Sequence, residues 1–343
     1  MAKYVLVLFS AFCLSAGTDP KAAAEAEQAL SLARQGKYEL AITHYRAAMA
    51  LDPRLPGLDI NLGLAYFKLD RLSEAVPCFE RAVKADPSNF QAQVLLGMSY
   101  FGCSRFEEAA VHLKLASGRQ PDNVELRYKL AQSYLQTRHY PESIAEFRFL
   151  LTKDPDSAPV HMLLGEVLDA ANQEEQAVAE FEAAAKADPR EPDVHFALGY
   201  MYWKQKRYED ARREFQAELA AQPQHPQALN YLGDTEMQAG ENKPAADHLK
   251  RALALDPRLR LAHLDLGIVL AETDPAEAER QLREAIRLDP SRPDAHYHLG
   301  RLLRSLGRTQ EAEAEFAKVR ALGKEQPQPP LLSMPGRGGT SKP

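Results

Sequence analysis

A proline recurs at Pro53, Pro87, Pro121, Pro155, Pro189, Pro223 and Pro257, every 34 residues, and once more at Pro290 after 33. A fixed period of this length means one small supersecondary unit copied in tandem, each copy burying its apolar face against its neighbours. That organisation constrains the chain more than any single residue does. It also turns the functional question away from a catalytic pocket and toward surfaces.

Alignment on the prolines brings out further columns. A small residue stands about 24 positions before each one, at Ala29, Gly63, Gly97, Ala131, Gly165, Gly199 and Gly233, with Gly267 one residue nearer and Gly300 in the last copy. Leu62, Leu96, Leu130, Leu164, Leu198, Leu232, Leu266 and Leu299 precede it, and Tyr66, Tyr100, Tyr134, Leu168 and Tyr202 follow three positions later. A second set pairs Ala41, Ala75, Ala109, Ala177, Ala211 and Ala245 with Tyr45, Phe79, Leu113, Phe181, Phe215 and Leu249 four residues on. Spacings of three, four and seven place such residues on one helix face, so each copy reads as two amphipathic helices. Glycine inside a helix costs roughly 1 kcal/mol against alanine; its return to one slot predicts close helix approach there. Gly36, Asp70, Ser104, Asn172, Gly240 and Gly307 mark the turns between helices. The Asp-Pro pairs, such as Asp86-Pro87 and Asp188-Pro189, end the second helix because proline disfavours helical geometry in the residue before it.

The pattern of Leu-Gly then Tyr, Ala then Phe, and a closing Pro resembles the tetratricopeptide repeat. Nine copies are counted, at 22–55, 56–89, 90–123, 124–157, 158–191, 192–225, 226–259, 260–292 and 293–326. The resemblance implies an all-α fold, a right-handed superhelix of antiparallel helix pairs over 22–326. It further implies that the first helices line a concave groove that holds a peptide or partner segment.

At 343 residues the length alone would suggest two domains, but a solenoid evades that count. The net charge of −6 is spread without a basic run, which argues against nucleic acid as a partner. Residues 1–17 lie outside the period: Lys3, an apolar run from Tyr4 to Leu14, then Ser15, Ala16 and Gly17. This resembles a secretory signal peptide and is too short to span a bilayer. It predicts a secreted or periplasmic protein; the alternative is a cytoplasmic one whose apolar N-terminus packs on the first repeat. Cys78 and Cys103 then remain, as a disulfide or as two separate thiols. Residues 327–343, rich in Pro and Gly, read as a disordered tail.

In the family's geometry the groove positions give Ile60, Leu64 and Phe67, then Val94, Met98 and Phe101, then Tyr128. Met162, Phe196, Tyr200, Trp203 and Asn230 continue the row, and Tyr297 and Arg301 end it. An apolar and aromatic stretch of this extent marks a partner site, and aromatics with methionine suit peptide capture. The competing reading is that several of these residues pack between adjacent first helices. The carboxylate clamp of chaperone-tail binders is missing, since its positions hold Ala26, Leu30, Ile60, Leu64, Val94 and Met98.

Two chemical possibilities stand beside the binding role. His161, His195, His263 and His296 share one repeat position, but neighbours roughly a helix diameter apart cannot share a zinc ion; they read as half-buried histidines in an aromatic slot. Glu218 and Glu236 stand where the repeat expects Ala and Tyr or Leu, and their convergence at the seam of repeats six and seven would form an acidic site. No phosphate loop, nucleophile elbow or paired-cysteine motif is present. The expectation is a non-enzymatic protein without cofactor. An alternative role is assembly of an envelope or secretion complex through the convex face.

Overall fold

The computed structural model describes residues 19–323, so the leader assigned to 1–17 and the tail assigned to 327–343 lie outside the described residues. Among the described residues the chain is entirely helical, with eighteen α-helices and no strand. They fall into two compact units divided after Pro155. The first unit holds α1 (Pro20–Arg34), α2 (Tyr38–Leu51), α3 (Leu58–Lys68), α4 (Leu72–Ala85), α5 (Phe90–Gly102), α6 (Phe106–Arg119), α7 (Val124–Gln136) and α8 (Tyr140–Lys153). The second holds α9 (Ala158–Ala170), α10 (Glu174–Ala187), α11 (Val194–Lys204), α12 (Tyr208–Ala221), α13 (Pro226–Gln238), α14 (Asn242–Leu255), α15 (Arg260–Leu270), α16 (Pro275–Leu288), α17 (Pro293–Ser305) and α18 (Thr309–Leu322). Four repeats fall in the first unit and five in the second.

The recurrent glycine has the expected cause. A methyl group on Gly63 would sit 2.7 Å from the Phe79 ring, on Gly165 2.6 Å from Phe181, and on Gly199 2.7 Å from Phe215. Those rings are fully buried and have nowhere to retreat. Repeat four meets the same contact with different residues: Ala131 replaces glycine, and the buried Ser143 hydroxyl donates to the Ala131 carbonyl at 2.9 Å.

The turns within repeats are left-handed at Gly36, Asp70, Ser104, Asn172, Gly240 and Gly307, as the sequence suggests, and also at Arg138 and Lys206. The backbone motif explains why such residues are accepted. The amide after each left-handed residue donates to the carbonyl five residues back, as Arg71 to Tyr66 at 3.0 Å, His139 to Tyr134 at 2.8 Å and Arg207 to Tyr202 at 2.9 Å. This is the helix end in which orphan carbonyls find donors. The Asp-Pro corners carry a second device. The side chains of Asp52, Asp86, Asp188, Asp256 and Asp289 each accept from the amide two residues on, at 2.9 to 3.0 Å.

Within each unit, first helices of successive repeats touch: α1 with α3, α3 with α5 and α5 with α7, then α11 with α13, α13 with α15 and α15 with α17. Second helices pack on their own first helix and on the next one, and meet each other at most marginally among the described residues. The first helices therefore form the inner side of each unit. Repeats five and six are also tied by charge. Lys204 Nζ on α11 reaches Asp169 Oδ1 at 2.7 Å and Glu174 Oε1 at 2.9 Å, and the Asp169 side chain is fully buried.

Candidate partner-binding face

The fourteen residues assigned to the groove separate into three groups. Ile60, Leu64, Val94, Met162, Phe196, Tyr200 and Asn230 are buried. Phe67, Met98, Phe101, Tyr128 and Trp203 are half-buried, with one side packed and the other open. Tyr297, 44% exposed, and Arg301 face solvent. Alternate first-helix positions thus build the floor, and the half-buried set forms the accessible surface. In the first unit, Phe101 meets Phe106 edge-on at 5.4 Å and carries Lys129 Nζ 4.3 Å from its ring centroid. That environment fixes a large aromatic surface at little entropic cost.

In the second unit the first-helix face is more polar. Trp203 Nε1 donates to Asp234, and its ring lies edge-on to Tyr231 at 4.9 Å. Asn230, Asp234 and Asp265 line a cavity of about 220 Å³ together with Trp203, Arg292 and Asp294. Arg260 closes Asp294 with two bonds of 2.8 and 3.0 Å. Burial pushes the Asp234 carboxyl above its ordinary value against the opposing bonds from Trp203 and Gln238. Burial pushes Asp265 well above it, and the nearby Asp234 charge adds to the rise. Asp265 is not among the groove residues expected from the sequence; its signal is an acidic residue at the sixth position of repeat eight, directly after Leu264.

The histidine column resolves into intramolecular locks. His161 pairs with Glu180 at 2.6 Å, His195 with Glu214 at 2.7 Å, His296 with Glu315 at 2.6 Å, and His263 with Gln281. Other repeats exchange the partners or the chemistry: Glu25 with His44, Gln93 with His112 and Arg127 with Glu146, each at 2.6 Å. Each bond joins the two helices of one repeat across 18 or 19 residues. This complementarity was legible in the sequence as two columns read together, and was missed because the histidines were read alone.

Glu218 and Glu236 are both buried but serve different partners. Glu218 turns back to its own repeat, accepting from the Phe196 amide at 3.1 Å and from Gln222 at 2.7 Å. Glu236 takes His248 at 2.8 Å. Glu218 instead neighbours Asp193 and His225, with ligand-type atoms all within 4.8 Å. His225 Nδ1 already accepts the Ala228 amide at 3.1 Å as the cap of α13. Its Nε2 lies 3.4 Å from Asp193 Oδ1, and Gln222 bonds both Asp193 and Glu218, so the three side chains are tied into local polar contacts. Cys78 and Cys103 are separate thiols, the second of the two arrangements considered.

The architecture is that of an α-α repeat scaffold, and comparison with known proteins names the class. The family described as tetratricopeptide repeat matches residues 128–192, 168–226, 196–260 and 268–327, more than half of the chain. Two related descriptions match 29–70 and 60–89. The chain belongs to the tetratricopeptide repeat family, and is by that membership a protein-interaction scaffold. None of the curated proteins compared with it matches. Among solved structures, the Cut9–Hcn1 hetero-tetramer of the APC/C is 13% identical, covering 90% of this chain and 75% of that one with a TM-score of 0.54. YrrB, described as a TPR protein with an unusual peptide-binding site, is 22% identical over 51% of this chain and 91% of its own, TM-score 0.44. Yeast Tom70 is 14% identical over 88% and 92%, TM-score 0.42. At these identities the likeness is one of fold.

Proposed function

We propose that the first-helix face seats an extended or helical segment of a partner protein, and that the chain is a non-catalytic scaffold. The observation that carries this reading is the half-buried row Phe67, Met98, Phe101 and Tyr128, which presents aromatic and thioether surface from successive first helices. Side chains already packed on one side lose little freedom on binding, so the partner segment alone bears most of the ordering cost. Buried neighbours such as Leu64 and Val94 act as the rigid floor beneath them.

Replacing both Phe67 and Phe101 by Ala is expected to weaken partner capture by roughly 100-fold or more, as loss of central aromatic anchors does. Helicity measured by circular dichroism should be unchanged, since neither side chain is fully buried. Undiminished capture would reject the first unit's inner face as the seat.

A second reading, assembly through the outer face, draws on Val111 and Leu115. They stand one turn apart on α6 and are 58% and 55% exposed. The inner row is larger and is held more rigidly, so it is preferred.

A further inference from the structure

The cavity of the second unit is chemically unlike the aromatic row of the first, and its polar groups do not balance. Asn230 is 3% exposed, and its Oδ1 has no hydrogen-bond partner among the described residues. A buried acceptor left unpaired costs about 1–3 kcal/mol, so its position on a cavity wall points to a donor that arrives from outside. Asp265, 7% exposed, has no cation within ion-pair distance among the described residues. Asp234 has neutral donors only, from Trp203 and Gln238. Arg260 is committed to Asp294, and Arg292 approaches that same carboxylate at 3.9 Å. His298, the other wall group able to carry a positive charge, is held toward its neutral form by burial. Three carboxylates therefore face two guanidiniums, and one positive charge is wanting.

We propose that this cavity receives the side chain of a lysine or arginine carried by the partner segment. The inference rests on the reading of the first-helix face as that segment's seat, and names the chemistry the seat selects. An ammonium or guanidinium would give Asn230 Oδ1 its donor and bring a counter-charge to Asp234 and Asp265. The rings of Trp203 and Tyr231 form an apolar wall for the aliphatic stem and a π-face for the charge. At 220 Å³ the cavity has room for a side chain, whereas a bare metal ion needs oxygen ligands converging at about 2 Å. An acidic or phosphorylated segment would meet Asp234 and Asp265 and find Arg260 already engaged.

Trp203 is the only tryptophan of the chain, so its emission reports on the site directly. The full chain is titrated with acetyl-Gly-Arg-Gly-amide, acetyl-Gly-Lys-Gly-amide and the neutral citrulline counterpart. A saturable change is expected with the cationic peptides, with the citrulline peptide weaker by about tenfold or more, the loss of one charge-assisted contact. Asp265→Asn is expected to lose about the same factor while remaining folded by circular dichroism. Equal binding of arginine and citrulline peptides, no saturable response to any cationic peptide, or wild-type affinity in the Asp265→Asn protein would each overturn the proposal. If these peptides fail while the Phe67 and Phe101 substitutions still abolish capture, the basic-side-chain inference falls and the first-helix seat stands.

Discussion

Phe215→Ala is expected to destabilise the second unit by about 3–5 kcal/mol, the range for deleting a fully buried phenylalanine ring. The size follows from what the ring does. It fills the space left by Gly199, where a side-chain carbon would stand only 2.7 Å away, so its loss opens a void that the glycine cannot fill. It also stacks on Tyr231 of the next repeat, with centroids 5.9 Å apart and planes at 21°. One substitution therefore loosens the two helices of repeat six and its junction with repeat seven. In a linear array each repeat is held by its nearest neighbours, so the damage stays local at first. Urea unfolding followed by Trp203 emission should show a midpoint well below wild type, and one lower than that seen by far-ultraviolet circular dichroism of the same protein. Coincident, unshifted transitions would contradict this description of the junction.

Asp265→Asn is expected to do the reverse and raise stability at neutral pH. Burial and the neighbouring Asp234 lift the folded-state value of Asp265 well above the ordinary 3.8. A carboxyl raised on folding binds its proton more tightly in the native state than in the unfolded chain. Its stabilising contribution is present in full below the unfolded value, and is lost as pH rises through the folded one. Across that window each pH unit removes roughly 1.4 kcal/mol. Asp234 adds a smaller loss of the same sign. Asparagine has nearly the same shape and never ionises, so the variant should match wild type near pH 4 and exceed it by a growing margin toward neutrality. Thermal midpoints of both proteins across this range provide the check. A variant less stable than wild type at neutral pH would show that the Asp265 charge is compensated in the free protein.

Most of the backbone was legible because it repeats. Nine slots for one small residue, with an aromatic or leucine opposite, encode the helix pair redundantly, so Glu236 in a tyrosine slot or Ser143 in an alanine slot does not obscure it. The left-handed residues at Arg138 and Lys206 were overlooked because neither type favours that conformation. Their position, set by the Tyr134 and Tyr202 carbonyl bonds, is decided by the helix end and not by the residue. The face was legible only as a row. Period alone does not separate Leu64, sealed between helices, from Phe67, open on one side three residues later. The cavity was beyond such reading, since Trp203, Asn230, Asp265 and Asp294 come from four different repeats and their neighbourhood depends on side-chain packing.

Site-specific photo-crosslinking tests the account most directly. A photoreactive phenylalanine analogue is placed singly at Phe101 and Tyr128 on first helices of the first unit, and at Val111 and Leu115 on the outer surface of α6. Seating of a segment along the inner row of the first unit predicts that one and the same partner chain crosslinks from Phe101 and Tyr128 and not from Val111 or Leu115. Crosslinks arising only from Val111 and Leu115 would contradict it, and would make the outer surface the working face of that unit.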